Sequence, residues 1–356
     1  MLFEASLFYL YPNKVMKYSL LFLFAILFIT SCNNNTKEHP ETKPPATAVT
    51  ACTLSEISYC SQPQDSLSKY LPGWTIVWNP ASVNGNYAFV ATDGYNYAIA
   101  IRGSVMDFNR DALNNWIYQD LHVAVQKKWP YTDSVSGAKI SEGTYDGWEN
   151  LTAMKDIKTG QSLERFLDST TTTATPILIT GHSLGGNLAT VYASWLYTHF
   201  ETASKLNEHI NVITFAAPAA GNKNFAQDFD KKFPQSVRFE NANDIVPKFP
   251  MADKIETLGK LYDSIPAAAK IEVGYNSATI PLSSVFDFIS IAVKGIELVN
   301  GFSTYTQTNG NGRVINIPLS GKNNSHDISS WFAEAGYHHS IEQYAAFIGA
   351  PVIKTP

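Results

Sequence analysis

From residue 177 the chain passes through three textures in quick succession. Ile177-Leu178-Ile179-Thr180 is an unbroken apolar or β-branched run, residues 181–186 form a glycine-rich turn, and residues 187–195 bring apolar positions back at helical spacing. This pattern predicts a buried strand, a tight turn and a helix. Short runs of strand character recur on both sides, at 74–78, 86–91 and 97–101, with Thr92-Asp93-Gly94 closing the last two into a hairpin. Residues 211–215 and 236–239 read as further strands. Helical spacing covers 54–70, 124–129, 284–299 and 145–167, where Gly160 interrupts and Asp168-Ser169 ends the last of these. Strands alternating with helices predict an α/β fold. Its sheet is mostly parallel with helices on both faces, and functional groups sit at the strand C-termini.

Candidate chemistry sits at the central turn. Gly181-His182-Ser183-Leu184-Gly185 fits G-x-S-x-G between a strand and a helix. Ser183 is expected at the tip of a strained turn, with the Leu184 N–H pointing where an oxyanion would form. The strand ending at Ile101 runs into Arg102-Gly103-Ser104, and the Ser104 N–H is a second candidate donor. A serine hydroxyl needs a base to take its proton and an acid to hold that base in one tautomer. In a serine hydrolase of this class the chain order is serine, acid, histidine. His39, His122 and His182 precede Ser183, while His199 and His209 lie on or just beyond the following helix. His339 opens a C-terminal helix and is the first choice. His338 is its rival, expected to face solvent or cap the helix, and His326 in a polar loop is third. Asp244 follows a strand directly in a turn ending at Pro247. Asp228 and Asp230 share a helix with Lys231 and Lys232 and are expected to be solvated, and Asp253, Asp263 and Asp287 fall later.

Together these residues resemble the class 3 lipases, the fungal-triacylglycerol-lipase-like branch of the α/β-hydrolases. The likeness rests on GHSLGG at 181–186, TFAAPAAGNKNFA at 214–226, Asn243-Asp244-Ile245-Val246-Pro247, Arg102-Gly103-Ser104, and His339 with Glu342 and Tyr344. It extends from about Tyr87 to about Phe347. The resemblance implies a serine carboxylester hydrolase cleaving lipid or other hydrophobic esters, without metal or cofactor. It also implies Ser183 as nucleophile, Asp244 as orienting acid, His339 as base, and the Ser104 and Leu184 N–H groups as oxyanion hole. Three departures stand out. Ser141-Glu142-Gly143-Thr144 occupies a place where the family often has a histidine before Gly-Phe. The segment between Ser104 and Trp116 is longer than the short lid of the secreted fungal enzymes, and a lid and an ordinary surface connection both fit 105–119. Residues 251–311 look like an insertion between acid and histidine. Their apolar helix fits a cap, a membrane-facing surface or a core element. A phospholipase, another acyl esterase, and a non-catalytic surface lipoprotein using the fold as a binding module stay open at this point.

The N-terminus changes the picture of location. Lys14 and Lys17 precede an apolar run, 18–29, that is short for a membrane span and suits a secretory signal, with Met16 as an alternative start. Ile29-Thr30-Ser31-Cys32 resembles a bacterial lipobox, which implies lipidation of Cys32 and an exported, membrane-anchored protein, periplasmic or on the cell surface. Residues 33–50 are polar and proline-rich and read as a disordered tether, leaving 51–356 as the folded domain. Of three cysteines, Cys52 and Cys60 remain, and a short-loop disulfide and two free thiols are both open. A net charge of −5 over 356 residues carries no basic footprint, which argues against nucleic acid as a partner.

Overall fold

The chain opens its main sheet with an antiparallel meander of Thr75–Trp78 (β1), Ala88–Thr92 (β2) and Tyr97–Ile101 (β3). Gln126–Lys128 (β4) and Lys139–Ser141 (β5) leave this sheet, and Ile177–His182 (β6) re-enters it alongside β3. Ile210–Phe215 (β7), Gly221–Asn222 (β8), Val237–Asn241 (β9), the hairpin Ala268–Val273 (β10) and Asn276–Pro281 (β11), Tyr305–Thr306 (β12) and Asn311–Ile315 (β13) follow. The seven-stranded order is β1-β2-β3-β6-β7-β9-β13, parallel from β3 onward. A smaller sheet has the order β12-β8-β5-β4. This computed structural model describes residues 46–354 apart from 105–121, 134, 206–207, 263–266, 274–275, 300–303 and 309–310. The expected signal segment, Cys32 and the segment 105–119 lie outside the described residues.

Register brings the functional ends together. Ile101 pairs with Gly181, His182 with Phe215, and Phe215 with Phe239. The loops leaving β3, β6, β7 and β9 therefore emerge along one edge of the sheet, the expected place for a ligand. β6 is buried at all six positions, which explains its unbroken apolar sequence.

The helices are Ala48–Ile57 (α1), Pro63–Tyr70 (α2), Glu142–Ala153 (α3), Leu163–Thr170 (α4), Leu184–Thr202 (α5), Lys223–Lys232 (α6), Ala252–Ile255 (α7), Leu282–Val299 (α8), Ile328–His339 (α9) and Ile341–Ile348 (α10). They cover both faces of the sheet. Ile99, Ile101 and Ile179 point to one face and join Leu188 and Tyr192 of α5. Their alternates Ala98, Ala100 and Leu178 point to the other and join Leu54 and Ile57 of α1 and Tyr344 of α10.

Several boundaries differ from the sequence reading, each for a local reason. Residues 48–50, read from sequence as part of the tether, belong to α1, which starts at Ala48 with the Thr47 hydroxyl accepting from the Thr50 N–H. The single helix expected over 54–70 is two helices, the second begun by Pro63, whose fixed φ and missing N–H suit a first turn. The helix expected over 124–129 is strand β4, paired with β5, and Lys127 reaches across to Asp146 at 2.8 Å. The long helix over 145–167 is α3 and α4. Between them Asp156 accepts from the Asn79, Lys158 and Thr159 N–H groups and the Thr159 hydroxyl, so its carboxylate competes with helix for backbone donors. Asp228 is not solvated: it is buried on α6 and lies 3.1 Å from buried Lys232. Cys52 and Cys60 are free thiols.

Helix α8, in the segment read as an insertion, buries Leu282, Phe286 and Val293 and exposes Phe288, Ile291, Leu298 and Val299. Phe286 packs on Trp331 of α9, and the Ser290 hydroxyl donates to the Ala252 carbonyl. The insertion is thereby joined to the helix that ends at His339. Among the described residues no helix is long and apolar enough to cross a membrane.

Glu56 on α1 is buried. Its Oε1 accepts from the Ile353 N–H at 3.1 Å, while Oε2 meets no hydrogen-bond donor among the described residues. Burial pushes its carboxyl up to about 8, and the charge of Glu342 acts in the same direction. A raised folded-state pKa contributes stability that is complete below the unfolded carboxylate range and is lost as pH climbs through about 8. Glu56→Gln should remove this dependence. Between about pH 5 and about pH 9 the wild-type melting temperature should fall relative to the variant's, and parallel curves across that range would contradict the assignment.

Candidate active site

Ser183 links β6 to α5 with φ 58° and ψ −131°, a left-handed conformation that a non-glycine residue adopts only when its surroundings enforce it. The enforcement is visible. The Ser183 N–H donates to the Phe215 carbonyl at 2.9 Å, and its own carbonyl accepts from the Gly186 and Asn187 N–H groups. A Cβ at Gly181 would stand 2.3 Å from the Gly185 carbonyl oxygen, and one at Gly185 would stand 2.2 Å from the Ile101 oxygen. These two glycines let the turn close on itself and press against the end of β3. The stretch Ser141 to Thr144 ties α3 to this turn. The Ser141 hydroxyl donates to that of Thr144, which donates to the Asn187 side chain.

His339 does not open the C-terminal helix but is the last residue of α9, because Ser340 leaves the helical conformation before α10 starts at Ile341, and Asp244 stands three residues beyond β9. The structure brings both to Ser183. Ser183 Oγ lies 2.9 Å from His339 Nε2, and His339 Nδ1 lies 3.1 and 3.0 Å from the two Asp244 oxygens. The carboxylate accepts, so Nδ1 carries the ring proton and Nε2 presents its lone pair to the serine hydroxyl. The relative exposures are 2% for Ser183, 6% for His339 and 0% for Asp244, so little water competes for these contacts. Asp244 is itself fixed: Oδ1 accepts from the Val246 N–H at 2.9 Å and Oδ2 from the Tyr344 hydroxyl at 2.8 Å.

The rival histidines go elsewhere. His338 neither faces solvent nor caps the helix. It is buried, with Nδ1 accepting from the Asn241 side chain and Nε2 donating to Glu334 at 3.1 Å. Helix geometry turns consecutive residues to different sides, so only one of the pair can face Ser183. His326 lies in the loop before α9, where its carbonyl accepts from the Ala268 N–H.

Ser104 and Leu184 flank the serine. Leu184 is the first residue of α5, whose leading N–H groups have no intrahelical acceptor. Gly103 packs so closely on the turn that a Cβ there would stand 2.6 Å from the His182 oxygen. Ser104 and Leu184 line the same cleft. Among the described residues no cluster of three or more histidine, cysteine or acidic side chains is arranged to hold a metal.

Sequence reasoning missed the supports of this site. His182 is buried against His339, its Nε2 2.7 Å from the His339 carbonyl and its Nδ1 3.1 Å from the Tyr59 hydroxyl. A carbonyl only accepts, so His182 carries its proton on Nε2, and its Nδ1 accepts a hydrogen bond from the Tyr59 hydroxyl. Burial, aided by the charge of His339, holds its pKa down at about 3, so it stays neutral. Nothing in the sequence near Tyr59 signalled this contact. Tyr344 was visible as part of the His339 motif, but its partner was not. Its hydroxyl accepts from the Asn241 N–H at 2.9 Å while donating to Asp244.

Tyr344→Phe strands the buried Asn241 N–H and takes one donor from Asp244. The expected cost is about 1–3 kcal/mol of unfolding free energy, measured by urea denaturation. A change below about 0.5 kcal/mol would contradict this accounting.

Comparison with known proteins places this geometry in context. A secreted mono- and diacylglycerol lipase of Fusarium solani is 29% identical over 164 residues, 45% of this chain and 41% of that protein. The Caenorhabditis elegans lipase ZK262.3 is 34% identical over 70 residues, 20% of this chain and 19% of that protein. The chain thus spans less than half the length of these curated relatives. The crystal structure of M37 lipase superposes with a TM-score of 0.65 at 24% identity, covering 85% of this chain and 93% of that one, which shows the α/β-hydrolase fold. Residues 98–254, which contain Ser104, Ser183, Leu184 and Asp244, match the family described as Lipase (class 3).

Proposed function

We propose that the protein is a serine carboxylester hydrolase acting on lipid or other hydrophobic esters. The observation that carries this reading is the continuous hydrogen-bonded line from Ser183 Oγ through His339 to Asp244, with contacts of 2.9 and 3.0 Å. His339 Nε2 takes the hydroxyl proton as Oγ attacks the ester carbonyl. The carbonyl π electrons move onto oxygen, where the Ser104 and Leu184 N–H groups donate to the developing charge. Collapse of this intermediate expels the alcohol, which receives the proton from Nε2 and leaves an acyl group on Ser183. Water, losing a proton to the same nitrogen, then adds to the acyl carbon, and the acid departs as Oγ recovers its hydrogen. Asp244 keeps Nδ1 protonated throughout and stabilises the transient imidazolium.

The match to class 3 lipases over 98–254 and the lipase relatives support lipid esters as the substrate class. Ser183→Ala should lower p-nitrophenyl butyrate turnover by about 10⁴- to 10⁶-fold while leaving the melting curve in place. Equal rates from wild type and variant would overturn the reading.

We further propose that Cys32 carries the lipid that anchors the protein to a membrane, on the strength of Ile29-Thr30-Ser31-Cys32 following the apolar run. Several acyl chains at that residue would give stable anchoring. Cys32→Ala should shift the protein from the membrane to the soluble fraction of a bacterial expression host, and unchanged membrane association would overturn this.

A further inference from the structure

The end of α9 is gripped from two strands of the sheet. A helix terminus leaves carbonyls without intrahelical partners. Two of these, on His338 and His339, are taken by side chains. His182 Nε2, one residue before the nucleophile on β6, donates to the His339 carbonyl at 2.7 Å. Asn241 Nδ2, on the last residue of β9 and three before Asp244, donates to the His338 carbonyl at 3.1 Å. The strands that deliver nucleophile and acid therefore also hold the main chain that carries His339.

The Asn241 carboxamide has one possible orientation. Its Oδ1 accepts from the Asn243 N–H at 3.2 Å and the Ile317 N–H at 3.4 Å. A backbone N–H only donates, so oxygen faces these two groups and nitrogen faces α9. The second hydrogen on Nδ2 goes to His338 Nδ1 at 3.0 Å. That ring nitrogen offers a lone pair because the ring proton sits on Nε2, 3.1 Å from Glu334. Glu334 accepts as well from the Ser320 and Lys322 N–H groups, both at 2.6 Å, and from the Ser320 hydroxyl at 2.8 Å. Asn241, His338 and Glu334 are all buried, so each contact is made away from competing water. The main chain of Asn241 serves the acid in the same way. Its carbonyl accepts from the Asp244 N–H at 2.9 Å, and its N–H donates to the Tyr344 hydroxyl, which in turn donates to the Asp244 carboxylate.

We propose that Asn241 is a positioning residue for the triad, one that sets the separation of acid and base, and that the His338–Glu334 pair fixes which way its amide points. Asn241 acts through Asp244 on one side and through the end of α9 on the other. The contact it sets, His339 Nδ1 to Asp244 at 3.0 Å, has little tolerance for a displaced helix end. This inference rests on the ester-hydrolase reading and deepens it.

The test uses the full chain. Asn241→Asp keeps the side-chain shape and both acceptor contacts but turns an oxygen towards the His338 carbonyl. Whatever proton His338 takes up in response, that carbonyl has lost its donor. Turnover of p-nitrophenyl butyrate should fall by about tenfold to a hundredfold in kcat, the loss that a misplacement of about 1 Å brings, with KM within about twofold. Asn241→Ser removes the amide without adding charge and should lower kcat in the same way. Asp156→Ala, which strips a buried acceptor from the turn between α3 and α4, controls for lost stability. It should lower the melting temperature and leave kcat within about twofold. A second readout needs no turnover. The His339 Nδ1–H, held against Asp244, should give a far-downfield proton resonance that is absent from His339→Ala, and Asn241→Asp should move it upfield or abolish it. A kcat within about twofold of wild type in both Asn241 variants, an equal kcat loss in Asp156→Ala, or a resonance unmoved by Asn241→Asp would overturn the positioning role. No ester hydrolysis by wild type, with the resonance present and lost in Asn241→Asp, would sink the catalytic reading and retain the positioning of His339 by Asn241.

Discussion

Two hydrogen bonds on one imidazole ring carry the account. His339 is useful to Ser183 only while Nδ1 holds its proton and Nε2 does not, and the buried Asp244 carboxylate enforces that tautomer from 3.0 Å away. A buried carboxylate is costly unless its lone pairs are satisfied. Asp244 accepts from His339, from the Val246 N–H and from the Tyr344 hydroxyl, so each oxygen has a donor besides the imidazole. Tyr344 is answered in turn by the Asn241 N–H. The line therefore continues past the acid into the end of β9 and the first turns of α10. It is held there by backbone that the sheet has already ordered.

The rest of the fold supplies position. Parallel strands in register place the ends of β3, β6 and β9 on one edge, so residues far apart in sequence arrive together without long loops. The strained Ser183 backbone survives because the sheet and α5 hold it from both sides, through Phe215 and through Gly186 and Asn187. His182 adds a support from below. It is neutral, buried and bonded to the His339 carbonyl, so the strand residue before the serine also fixes the main chain that carries His339. α1 contributes to the same layer, its Ser55 hydroxyl meeting that of Thr180 at 3.0 Å and Tyr59 following just beyond its end.

Much of this was legible in the sequence because the relevant physics is local. An apolar run ending in Gly-x-Ser-x-Gly specifies strand, turn and helix within about a dozen residues. β7 and β9 were readable for the same reason, and chain order narrowed the histidines to three, but His338 and His326 stayed beside His339 until the fold turned only His339 towards Ser183. What was not legible depends on tertiary partners. β4 was read as helix because the six residues 124–129 are too few to show a period, and its strand state comes from pairing with β5. Asp228 looked solvated beside two lysines, yet Lys232 folds back with it into a buried pair. β13 gave no local signal, because the insertion before it hid that the chain returns to the sheet next to β9. Tyr59 could not be read at all, since its partner lies 123 positions away.

The claim that everything else serves is that one serine has been made nucleophilic by its neighbours. The most direct measurement is reaction of the purified chain with a fluorophosphonate, followed by peptide mass spectrometry. The account predicts one adduct, on the peptide containing Ser183, whose formation slows sharply in His339→Ala. No adduct, an adduct on another serine, or labelling of Ser183 that ignores the loss of His339 would contradict it.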